Sequence, residues 1–181
     1  DIVRTLRHPN IVPILDFGMS DEGVMYIVME YIEGHDLRQH LHREGKLSLA
    51  DAGPILQDVA AALDHAHSLG IVHRDVKPSN VLLETQSITG GRPEIRRSLL
   101  ADFGVAKPAD GPRFTGSIVL GTVGYMAPEQ IEDSAEVDAR ADVYSFGILT
   151  YQLLTGRRPF NQRSPTAVLI AQLHQPPQNP R

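Results

Sequence analysis

The chain has 181 residues, 41% of them hydrophobic and 22% charged, which is enough for one globular domain with its own core. Its net charge of -5 argues against a nucleic-acid surface, and no apolar run approaches the ~20 residues of a membrane span. The lack of cysteine excludes disulfides and thiolate chemistry and fits a cytosolic domain.

Ile11-Val12-Pro13-Ile14-Leu15 and Val24-Met25-Tyr26-Ile27-Val28-Met29 are predicted as two strands joined by the polar turn Ser20-Asp21-Glu22-Gly23. Pro13 has no amide to donate, which suggests an edge or a bulge. Asp16-Phe17-Gly18 falls between them and reads as a strand end and turn. Leu49 to Leu69 is predicted as a helix: Ser48 and Asp51 form a capping pair, Ile55, Val59 and Leu63 a stripe, and Gly70 a stop. Gly53-Pro54 predicts a kink or a later start, because an interior proline costs about 3 kcal/mol. Val81-Leu82-Leu83 and Ser98-Leu99-Leu100-Ala101 read as short buried strands around a long hairpin loop, Thr85 to Arg97. Residues 105–126 lack periodicity and predict a mobile loop. Ala141 to Thr155 is apolar nearly all the way round, predicting a buried helix, and Pro165 to His174 a further short one. Pro176 to Pro180 reads as an extended exit.

The chemistry lies in three strings. His73-Arg74-Asp75-Val76-Lys77-Pro78-Ser79-Asn80 follows the apolar pair Ile71-Val72 and sits on a tight loop; Asp102-Phe103-Gly104 and Ala127-Pro128-Glu129 come later. Phosphoryl transfer asks a protein for positioning, metal ligands and charge neutralisation. A carboxylate, a cation, an amide and a second carboxylate in this order resemble the protein kinases, with Val76 where leucine is usual. The bland alternative for the octapeptide is a chance loop with a surface Asp and Lys. Asp-Phe-Gly alone is weak, since Asp16-Phe17-Gly18 repeats it; only Asp102-Phe103-Gly104 has the context.

The resemblance implies an α+β, kinase-like fold: a mostly helical C-terminal lobe with two strands of an N-terminal-lobe sheet. Asp75 would be the base that orients and deprotonates the substrate hydroxyl, and Lys77 would neutralise the transferring phosphate. Asn80 and Asp102 would bind Mg²⁺, Asp102 as a hard oxygen ligand, and Gly104 would let the next segment move. Thr122, in Gly121 to Glu129, would bond Asp75 and Lys77, a pattern of Ser/Thr kinases. Arg74 would order the activation segment by binding a phosphorylated Thr115 or Ser117. Asp142 would accept amides around His73 and Arg74, or is simply a helix N-terminal acid favoured by the dipole. His73 would pack under Phe103, in a column with Val3 and Ile14, rather than move protons. Glu129 would pair with an arginine beyond Arg181.

For ATP, Met29 would be the gatekeeper, Glu30 and Ile32 the hinge, Leu82 the floor under adenine and Asp36 a ribose partner; each also reads as an ordinary strand end or loop residue. His40 with His42, and His65 with His67, are spaced i, i+2 and face different ways, so no zinc site is expected. Aligning Leu6-Arg7-His8-Pro9-Asn10 with the family puts the glutamate of the N-terminal-lobe helix, the Gly-rich loop and the strand-three lysine before Asp1. The resemblance thus implies a partial kinase domain over 1–174, with 1–29 an N-lobe remnant, 30–36 the hinge and 37–174 the C-lobe, then a Pro-rich exit over 175–181. An unpaired apolar edge on that remnant predicts aggregation, and little ATP binding or activity for this piece alone.

Thr155 to Pro177 looks like the bacterial branch, whose members often continue into a membrane span and an outside sensor; any membrane contact would come through such absent segments. The implied reaction moves the ATP γ-phosphate to a Ser or Thr hydroxyl of a protein in the cytoplasm, with self-association for trans-autophosphorylation allowed and no nucleic acid involved. Two rivals stay open: a pseudokinase, against which Asp75, Lys77, Asn80 and Asp102 argue, and a small-molecule kinase, which would not normally carry Gly121 to Glu129.

Overall fold

The computed structural model describes residues 6–86, 94–103, 123–132 and 137–180. Strands β1 (Ile14–Met19) and β2 (Met25–Met29) form an antiparallel ribbon. Its turn closes through Ser20 N to Val24 O at 2.8 Å, with Gly23 left-handed at φ 79°. The first strand starts three residues later than the sequence suggests. Pro13 is the reason: the residues before it pair elsewhere, Val12 N donating to Leu100 O at 3.0 Å and Ile11 bridging Leu100. Asp16, Phe17 and Gly18 consequently lie inside β1, not in a turn after it. Apolar residues on both faces of the ribbon are exposed, Phe17, Met25 and Ile27 on one and Tyr26 and Val28 on the other.

A second sheet has the order β3-β4-β5, all antiparallel, from Gly34–Asp36, Val81–Gln86 and Glu94–Leu100. Gly34 is needed where it stands, since a Cβ there would meet Leu83 O at 1.9 Å. The hairpin strands are longer than expected: Thr85, Gln86 and Glu94 to Arg97 belong to the ladder, where Glu84 faces Arg97 and accepts from its Nε at 2.7 Å.

Helix α1 (Leu37–Glu44) is capped by Asp36, whose carboxylate accepts from Gln39 N at 2.6 Å. Helix α2 (Leu49–Ser68) starts at the Ser48 cap and continues through Pro54, so the later start does not occur. Burial of Ala52 and Ile55 on either side of Pro54, together with the cap, offsets the missing bond. Helix α2 packs its stripe of Ile55, Val59, Leu63 and Ala66 into the main core with Leu37, Val76, Val81, Leu83, Leu100, Leu149 and Leu153. Asp58 fastens it to β5 by accepting from Ser98 N at 2.7 Å.

Helix α3 (Pro128–Glu132) is short, and α4 (Ala139–Thr155) runs through the domain centre. It is not apolar-buried all round: Val143 is 63% exposed, and the buried stripe includes Asp142 and Ser145. Helix α5 (Pro165–His174) has the predicted bounds, capped by Ser164. No helix among the described residues is long and apolar enough to cross a membrane. The predicted loop at 105–126 lies outside the described residues up to position 122.

Candidate active site

The octapeptide crosses from the end of α2 to the start of β4, and three features hold it. Asp142, fully buried near the start of α4, accepts from His73 N at 2.8 Å, Arg74 N at 2.7 Å and His67 Nε2 at 2.7 Å. A buried carboxylate is tolerable only with such donors. His73 is also buried; its Nδ1 accepts from Asp75 N at 3.2 Å and its Nε2 lies 2.9 Å from Ala101 O. Those partners select the neutral ring protonated at Nε2, with both nitrogens committed to structure. The ring packs on Phe103 at 4.6 Å between centroids. Arg74 itself adopts φ 65°, a left-handed conformation that a non-glycine residue keeps only when its surroundings enforce it.

Asp75 is partly buried on this loop. Lys77 Nζ is 2.8 Å from its Oδ2, and Asn80 Nδ2 donates to its backbone oxygen at 2.9 Å and to Oδ2 at 3.4 Å. Both donors converge on the same carboxylate oxygen, Oδ2. A short 3-10 turn at Pro78–Asn80 leads into β4.

The β4–β5 hairpin brings Asn80 and Asp102 together. Val81 pairs with Leu100, and Ala101 N donates to Asn80 O at 2.8 Å, so Ala101 stands across from Asn80 and Asp102 follows one residue on. Asp102 is left-handed at φ 58° and exposed, and its carboxylate has no hydrogen-bond or ion-pair partner among the described residues. Asn80 spends its amide nitrogen on Asp75, which leaves Oδ1 as its available ligand atom beside a long contact from Ser79 Oγ at 3.3 Å. Two hard oxygens on adjacent chain segments fit a divalent cation such as Mg²⁺.

The Ala-Pro-Glu segment joins the loop through groups that motif reading misses. Gln130 Nε2 donates to Arg74 O at 3.0 Å while its Oε1 accepts from Ala127 N at 2.9 Å. Ser145 Oγ donates to Tyr125 O at 2.7 Å, and the Tyr125 hydroxyl donates to Gln152 Oε1. Burial pushes the Tyr125 phenol up to about 12, so it stays a donor. His67 was equally hidden; its only sequence signal is a position on a different face of α2 from His65, which stacks on His8 at 5.1 Å. Glu129 is half-buried and makes no hydrogen bond or ion pair among the described residues.

The adenine candidates divide. Met29 ends β2 opposite Ile14, and Glu30 gives its amide to Pro13 O at 2.9 Å, leaving its carbonyl. Ile32 and Leu82 pack together against Val12, Leu99 and Ala101. Asp36 is engaged as the α1 cap, with Arg38 3.4 Å away. Thr122, Thr115, Ser117, Gly104 and Val3 lie outside the described residues.

This geometry meets its counterpart in known proteins. Residues 1–179 match the family described as protein kinase domain. The chain belongs to the protein kinase family. Relatives of this kinase domain include serine/threonine-protein kinase pkn3 of Myxococcus xanthus, 39% identical over 180 residues that make up 97% of this chain and 32% of that protein. Serine/threonine-protein kinase PkaA of Streptomyces coelicolor is 40% identical over 180 residues, 99% of this chain and 32% of its own. Serine/threonine-protein kinase PrkC of Bacillus subtilis is 38% identical over 170 residues, 93% and 24% respectively. The kinase domain chain therefore spans between about a quarter and a third of the length of these curated relatives. Family membership implies use of ATP and Mg²⁺.

Proposed function

We propose that the protein containing this chain is a serine/threonine protein kinase that transfers the ATP γ-phosphate to hydroxyls of other proteins. One observation carries the reading: the Asp75 carboxylate is held between Lys77 and Asn80 on a loop anchored by Asp142. In that setting Asp75 orients the acceptor hydroxyl and takes its proton, while Lys77 offers its charge to the transferring phosphoryl group. Asn80 Oδ1 and the Asp102 carboxylate would hold Mg²⁺, which when bound neutralises phosphate charge. Glu30 O and the Ile32 backbone would hold adenine above Leu82, with Met29 behind it and Asp36 near the ribose. Thr122 would complete the Asp75–Lys77 pair from the docking segment.

Arg74, an exposed residue whose guanidinium makes only a long contact with Val137 O at 3.5 Å among the described residues, supports a switch in which phosphorylated Thr115 or Ser117 orders the activation segment. Mapping of active protein that found neither residue phosphorylated would reject it. The lobes would divide as 1–29, a hinge at 30–36 and 37–174, with 175–181 leading out. The domain would act in the cytoplasm, with autophosphorylation between copies.

The test is phosphate transfer from labelled ATP by the full-length protein beside Asp75→Asn. Label on Ser or Thr of a protein, reduced at least a thousandfold in the variant, is the expected result. Nucleotide binding without transfer would reject catalysis.

A further inference from the structure

A groove of about 540 Å³ opens beside Lys77, lined by α1, by the loop carrying Lys77 and Ser79, and by Tyr125 and Arg158. Among the described residues that line it, every formal charge is positive: Arg38, Lys77 and Arg158, with His42 among them. Lys77 is already held by Asp75 at 2.8 Å and Arg38 by Asp36 at 3.4 Å. Arg158 differs, having no ion pair among the described residues.

Its guanidinium is nonetheless fixed in place. The Cζ atom lies 5.9 Å from the Tyr125 ring centroid. On the other side it fills the space a side chain would take at Gly124, where a Cβ would stand 1.9 Å from Arg158 Nη1 and 2.8 Å from Cζ. A planar fork of donors, half-buried, ordered by packing and without a counter-charge, suits a carboxylate.

We infer that this groove docks an acidic stretch of the substrate protein, with Asp or Glu side chains flanking the acceptor hydroxyl and one of them paired to Arg158. The inference rests on the proposed roles of Asp75 and Lys77, because Lys77 both touches Asp75 and lines the groove. Basic residues in the same place would face the Arg158 guanidinium, which no carboxylate among the described residues offsets.

The full-length protein is offered three acceptor peptides that share one threonine and differ in having Asp, Ala or Lys around it. The Asp peptide should have kcat/KM about fivefold above the Ala peptide, expressed mainly in KM, with the Lys peptide poorest. In Arg158→Gln the Asp advantage should fall to about twofold or less, and Arg158→Lys should restore part of it. A fluorescent Asp peptide with the threonine replaced by alanine reads docking without chemistry; its affinity should fall with salt and in Arg158→Gln. If Arg158→Gln does not fold, Arg38→Gln, whose side chain is 71% exposed, serves the same comparison. Equal treatment of Asp and Ala peptides, or an advantage unchanged by these variants, overturns the inference. Arg158-dependent binding with no label transferred to any peptide keeps the groove and rejects the kinase reading instead; neither binding nor transfer rejects both.

Discussion

Asp142, fully buried, binds donors from two parts of the chain, the end of α2 and the loop at His73 and Arg74. Asp142→Ala would leave the His73 and Arg74 amides and the His67 imidazole without their acceptor, each unmet donor costing about 1–3 kcal/mol where it is buried. The expected loss of stability is about 3 kcal/mol in urea unfolding, with transfer activity abolished. A variant within 0.5 kcal/mol of the parent would mean that water or a neighbour replaces the carboxylate. Residues with this kind of duty were only partly legible in the sequence. Asp75, Lys77, Asn80 and Asp102 stand out because their spacing is fixed by the chemistry. His67 and Gln130 do not, because Gln130 meets Arg74 from 56 residues away and His67 meets Asp142 from 75, and such long-range pairs leave no local pattern.

At the scale of elements, the sequence showed α2, α4, α5 and the hairpin, where burial imposes period and length. Strand β3 is three residues long, Gly-His-Asp, and carries no alternation to read. Helix α1 buries only Leu37 and Leu41, so its apolar stripe is one i, i+4 pair. Its cap, Asp36, is also the expected ribose partner, because a carboxylate after a short strand fits both roles. The ends of β1 moved because Val12 found Leu100 rather than β2 as its partner, a long-range choice no window contains. Helix α2 offers a test of local against tertiary preference. Pro54→Ala restores a donor to the Ala50 carbonyl and removes a ring clash, so the thermal midpoint should rise, corresponding to about 1–2 kcal/mol. An unchanged or lower midpoint would show that the helix is already relaxed around the ring.

Over the whole molecule, three half-buried histidines share one direction. His8, His35 and His40 all have their pKa lowered, chiefly by burial; the charge of His65 also lowers His8, and that of Arg43 lowers His35. Each therefore binds its proton more weakly folded than unfolded. Their contribution is fully present above the unfolded value of about 6.5 and is lost as pH falls through the lower folded values. The urea midpoint should be higher at pH 7.5 than at pH 5.5, and the difference should shrink in a His8→Gln, His35→Gln, His40→Gln variant. A difference unchanged by the triple substitution would assign the pH dependence to other groups. The proposed docking groove and the two-stranded ribbon are both surface features of this scale. The first is charged and shaped by Gly124, whereas the second exposes apolar side chains on both faces.

The β4–β5 hairpin sets a timetable as well as a distance. Its pairing is local, and hairpins close in about 1–10 μs. The clasp of Asp142 on His73 and Arg74 joins residues 69 and 68 positions apart, and must wait for α4 to dock. Asn80 and Asp102 should thus become neighbours before Asp75 acquires its fixed place. Pulse-labelled hydrogen exchange during refolding should protect the amides of Val81 to Glu84 ahead of those of His73 and Arg74. Simultaneous protection would mean that the hairpin and the loop around Asp75 assemble in one step.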